Sequence, residues 1–243
     1  MLEAAFWGFV SGLSVLIGAV IAVKFTVPRQ LLGLIMAFGA GVLISALTFE
    51  LTGNAFAAGG GVPVALGLAG GALTFFLGNQ LLARAGGDER KRCGACKQEG
   101  GSAKAIALGV LLDGIPESVV IGVSLIGGGA VSLPLVAAVF LSNVPESLSA
   151  ADGMREFGRS DRYILGLWGS GVLVAALAAA LGYTFLRGAP PSTVGVIEAF
   201  AAGTILTMLA DTLMPEAFEH GGIWTGVVTV LGFAIAFLLF TLQ

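Results

Sequence analysis

Two short stretches hold the residues that could do chemistry: LLDGIPES at 111–118 and FLSNVPES at 140–147. They match at an offset of 29, through Leu112/Leu141, Pro116/Pro145, Glu117/Glu146 and Ser118/Ser147. On a helix Asp113 and Glu117 are four residues apart and share a face. Ser142 and Glu146 do the same in the twin, with Asn143 three residues before Glu146. Both stretches sit near the middle of long apolar runs. An ionised carboxylate at the centre of a bilayer costs about 2.5–3.5 kcal/mol on insertion scales. No Lys or Arg lies between Lys104 and Arg155 to offset Asp113, Glu117 and Glu146. Either another positive charge arrives or some of the three are protonated. Pro116 and Pro145 add a second clue, because a proline cannot donate to the carbonyl four residues earlier, here Leu112 and Leu141. A kink is predicted at each, and broken backbone is tolerated at membrane depth where it lines a cavity. Carboxylates, an amide, hydroxyls and loose carbonyls at one level make an oxygen-lined cage for a cation. Protonated carboxylates joining two helices are the structural alternative.

The elements that must position these residues are membrane spans. The chain of 243 residues is 56% hydrophobic and 11% charged, with a mean hydropathy of +0.96. A soluble domain carries roughly a quarter charged residues. Apolar runs near the ~20 residues that cross a bilayer recur along its length. The expected fold class is an all-α polytopic membrane protein, a single transmembrane domain over 1–243. Eight spans are predicted near 4–24, 31–52, 62–84, 104–126, 131–153, 163–186, 193–215 and 223–242. The first has Glu3 before it and no basic leader, so it reads as a retained span and not a signal peptide. With the N-terminus outside, the inner loops collect all but one of the 12 Lys and Arg residues, Arg187 being the exception. The positive-inside rule then places both termini outside and the polar 85–103 loop in the cytoplasm. Trp7, Trp168, Tyr163 and Trp224 fall near span ends, as interfacial aromatics do. Frequent Gly, Ala and Ser in the apolar runs favour closely packed helices.

The spans repeat. AFGAGVLISALTFELTGNAFAAGG (37–60) aligns with AFAAGTILTMLADTLMPEAFEHGG (199–222) at a constant offset of 162. SGLSVLIGAV resembles SGVLVAALAA at a similar offset. Spans 1–3 therefore repeat as spans 6–8, and the odd number of helices between matched copies makes the repeat inverted. Such repeats are typical of alternating-access transporters.

On these residues the chain resembles the ZIP family of divalent-metal transporters. The resemblance rests on the Pro-Glu motifs of spans 4 and 5, on spans 2 and 7, on eight spans with both ends outside, and on a 3+2+3 inverted arrangement. It implies metal ligands at Asp113, Glu117, Asn143 and Glu146, with Ser142 a weaker donor. Asp113 replaces the family's His, Gly114 its Asn, and Ser142 the first ligand of span 5. Span 6 lacks the carboxylate with which some members bridge a second metal, so one metal is expected. The family's usual cargo is zinc or iron, whereas an all-oxygen set suits harder ions such as manganese, magnesium or ferrous iron.

Along the path, Glu50 is a candidate at the entrance, and Asp211 and Glu216 are candidates on the exit. Ordinary helix-end polarity is the alternative for Glu50 and Glu216. His220 is a solvated loop residue or an exit ligand, and Glu198 has no evident role. Cys93 and Cys96 have the spacing of half a zinc site; they could capture metal in the cytoplasm, bridge two chains, or be a reduced dithiol. The expected partners are the metal ion, the lipid bilayer and, as an open case, a second copy in a homodimer. Nothing resembles a nucleic-acid-binding surface.

The function expected is a divalent metal cation transporter, for zinc, iron or manganese, in the cell membrane. It moves the ion inward by alternating access, with no cofactor beyond the metal it carries. It is not expected to be an enzyme: an intramembrane metalloenzyme usually takes His ligands as in HExxH, and no His falls within a predicted span. The other rival is a non-transporting metal-sensing or structural membrane protein.

Overall fold

The long apolar runs are helical, as they must be where no water satisfies backbone N–H and C=O groups. In the computed structural model, residues 1–84, 103–126, 130–156 and 158–242 are described, and no strand occurs among them. The helices are α1 (Leu2–Lys24), α2 (Arg29–Ala46), α3 (Gly53–Gly59), α4 (Gly61–Leu82), α5 (Ala103–Val123), α6 (Leu133–Glu156), α7 (Asp161–Leu186), α8 (Pro191–Met208), α9 (Met214–Gly221) and α10 (Thr225–Thr241). A π-helical segment, Leu47–Thr52, joins α2 to α3, and another, Leu209–Leu213, joins α8 to α9. Cys93 and Cys96 lie outside the described residues.

The described residues form seven continuous helical stretches, where the sequence predicts eight spans. The difference lies at the C-terminal end. Predicted spans 193–215 and 223–242 share one helical stretch, Pro191–Thr241, of 51 residues. A single 3-10 turn, Gly222–Trp224, links its last two helices. Gly222 turns the chain there with φ +63°, a value that glycine adopts without steric cost. Among the described residues, six stretches are long and apolar enough to cross a membrane. The protein is an integral membrane protein built of helices.

Close packing follows from small side chains. α1 packs on α6 and α7, α2 on α6, α9 and α10, α4 on α8, and α5 on α7 and α8. Gly18 brings α1 against α6 so closely that a Cβ there would collide with Ser147 Oγ and the Val144 carbonyl. Gly122 places α5 on the Ala179 carbonyl of α7 in the same way. With no hydrophobic effect between helices in lipid, such backbone approach and its dispersion contacts hold the bundle together. The predicted aromatics divide. Tyr163 and Trp224 are exposed, but Trp168 is 2% exposed and belongs to the interior.

Candidate functional site

Pro116 and Pro145 lie inside α5 and α6, and each helix runs on past its proline. Two equivalent hydroxyl bonds brace the backbone around them. Ser118 Oγ donates to the Gly114 carbonyl at 2.7 Å, and its twin Ser147 Oγ donates to the Asn143 carbonyl at 2.7 Å. The two motif helices touch each other little. α5 leans on α7 and α8, while α6 is held by α1 and α2. This leaves a cavity of about 100 Å³ whose wall includes Asp113, Asn143, Glu146, Trp168, Thr212 and Glu216.

One direct bond crosses between the motifs: Asn143 Nδ2 donates to Glu117 Oε2 at 3.0 Å. Glu117 is 1% exposed, and its Oε1 has no hydrogen-bond partner among the described residues. Asp113 and Glu146 meet side chain to side chain. Two carboxyl groups can meet in that way only with a proton or a cation between them. Glu117 and Glu216 lie within electrostatic range of Glu146. No Lys, Arg or His among the described residues lines the cavity. Among the described residues, no three His, Cys, Asp or Glu side chains are already gathered as a tight ligand cluster. Asp113, Glu146 and Glu216 instead line the cavity wall, while Glu117 lies behind it, tied to the wall through Asn143.

The other sequence candidates are distributed differently. Ser142 is fully buried, but its hydroxyl donates to the Val139 carbonyl at 3.0 Å, and its backbone packs beside Gly39 of α2. It does not line the cavity. Glu216 does, and it accepts a hydrogen bond from Ser149 Oγ. Asp211 is exposed within its π-helical segment, while its neighbour Thr212 reaches the wall. Glu50 is buried away from the cavity. His220 lies in α9, its side chain against Gly33 of α2.

Sequence reasoning missed Trp168, Ser149 and Thr212. The indole N–H of Trp168 is buried in the cavity wall with no hydrogen-bond partner among the described residues. Its place five residues into a predicted span gave the signal of an interfacial residue, and only the packing of α7 contradicts that. No protein-family model and no curated protein matches this chain.

Proposed function

We propose that this protein is a divalent metal cation transporter related to the ZIP family, carrying zinc, iron or manganese into the cytoplasm. The observation that carries the reading is the shared cavity wall of Asp113, Asn143 and Glu146, tied to Glu117 through Asn143. Three acids in a stretch with no Lys or Arg between Lys104 and Arg155 call for a positive charge in a membrane interior, and an oxygen-only set fits a hard or borderline divalent ion. Three carboxylates against two metal charges leave room for a proton to travel with the ion.

In this reading the 51-residue stretch is two spans that turn at Gly222, because a straight helix of that length would extend about 75 Å, well beyond a bilayer. Eight spans then form a 3+2+3 bundle with both termini outside, and the repeated triplets rock about α5 and α6 to expose the cavity to each side in turn. The site holds one metal. Ser149 and Glu216 lie on the way to the cytoplasm.

The test is uptake into sealed liposomes of Zn²⁺, Mn²⁺, Fe²⁺ and Mg²⁺ by the purified protein. A Glu117→Gln/Glu146→Gln variant runs beside it. Uptake that the variant loses by at least about tenfold supports the carrier. Folded protein that moves none of these ions sinks it and favours a metal-sensing or structural role.

A further inference from the structure

A second pair of acids lies outside the cavity. Glu50 belongs to the π-helical segment after α2, and Glu198 to α8, which packs against that segment. They are 7% and 9% exposed, and they lie within electrostatic range of each other. Neither lines the cavity. Glu50 follows Arg29 by 21 positions, which places the pair about 30 Å along the helix from the Arg29–Glu156 contact. The neighbouring contact of α3 and α4 with α8 is closed by Ala55, Val64 and Ala199, an apolar wall. The sequence has no Lys or Arg from 30 to 83 or from 188 to the end, and the His220 side chain lies against Gly33 of α2.

Glu50 Oε2 is the decisive atom. It is buried and has no hydrogen-bond partner among the described residues. A carboxyl neutralised by a proton in a dry interior normally engages in hydrogen bonds, since leaving a polar atom unpaired there costs about 1–3 kcal/mol. A buried carboxyl oxygen without a partner, with a second buried carboxyl group within electrostatic range, is instead the arrangement a cation completes, and two carboxylates balance a charge of +2. The π-helical turn, a distortion frequent at functional sites, carries Glu50 to this face.

We propose that Glu50 and Glu198 form a second binding site for a divalent cation, separate from the cavity between α5 and α6. The proposal concerns binding alone, so it can fail while the transport reading holds, and the reverse.

The probe is Mn²⁺, with bound ion counted by electron paramagnetic resonance on the full chain in detergent. The Glu117→Gln/Glu146→Gln variant is expected to keep about one Mn²⁺ per chain, and adding Glu50→Gln/Glu198→Gln to remove it. Absence of bound Mn²⁺ in the first variant, or equal binding in both, overturns the proposal. A second measurement leaves Glu50 and Glu198 intact: carbodiimide labelling of buried carboxyls, mapped by mass spectrometry. Mn²⁺ at ten times its dissociation constant is expected to lower labelling at Glu50 and Glu198 about tenfold. Labelling that Mn²⁺ does not change means the pair holds protons, and the proposal falls. Liposome uptake by the unmodified chain reports on the transport reading separately.

Discussion

Residues 37–60 and 199–222 share a backbone plan but not a chemistry. Each runs as an α-helix into a π-helical segment, beginning at Leu47 in one and Leu209 in the other, then into a short helix ended by a glycine of positive φ, Gly60 or Gly222. Every one of those landmarks obeys the offset of 162 found in the sequence. Their close contacts correspond too: Gly41 lies on the Thr229 carbonyl of α10, and its counterpart Gly203 lies on the Leu68 carbonyl of α4. The acids, in contrast, have moved. Glu50 in the first copy corresponds to Thr212 in the second, and Asn54 to Glu216. The first copy buries its acid away from the cavity, within electrostatic range of Glu198, and exposes Asn54. The second copy turns Thr212 and Glu216 into the cavity wall. A common fold has thus been kept for packing, while the polar positions one turn apart diverged to serve different places.

The largest effects should come from the shared contacts. Gly41→Leu and Gly203→Leu each drive a side chain into a carbonyl of a neighbouring helix, and overpacking of this kind costs about 1–3 kcal/mol or more. Thermal unfolding in detergent should fall alike for both; a loss in one alone would break the packing equivalence. The next test targets the divergence. Glu216→Gln is expected to lower metal uptake about tenfold, the scale for groups that support a metal's ligands. Asn54→Ala at the corresponding position should leave uptake within error, and an equal loss in both would mean that the copies do not differ in function. The smallest effect is expected at Arg29, whose ion pair with Glu156 at 3.4 Å is exposed at both ends. Its counterpart in the second copy is Pro191, which has no charge. Arg29→Gln should change stability by less than about 1 kcal/mol, so a large shift in unfolding temperature would show that the halves are held unequally at this end.

The sequence by itself determined the class of protein, the helical runs, the twin Pro-Glu motifs and the 162-residue offset. These follow from composition and from periodicities that the chain carries locally. It also singled out Asp113, Glu117, Asn143, Glu146 and Glu216, because polar groups in or beside apolar runs are conspicuous. Tertiary structure decided which of them share a cavity. Ser142 stands beside Asn143 in the same motif, yet its backbone packs beside Gly39 of α2 and it does not line the cavity. Asp211 is an exit-path candidate in the sequence, but it is exposed in its π-helical segment, and its neighbour Thr212 reaches the wall. Face assignment from sequence assumes 3.6 residues per turn, and a π turn breaks that assumption without a local sign. Glu198 and Glu50 are 148 positions apart, and Trp168 reaches the cavity only because α7 packs where it does. Nothing along the chain encodes such meetings singly. They arise when helices that must hide their backbone in lipid find the few close packings their small residues allow.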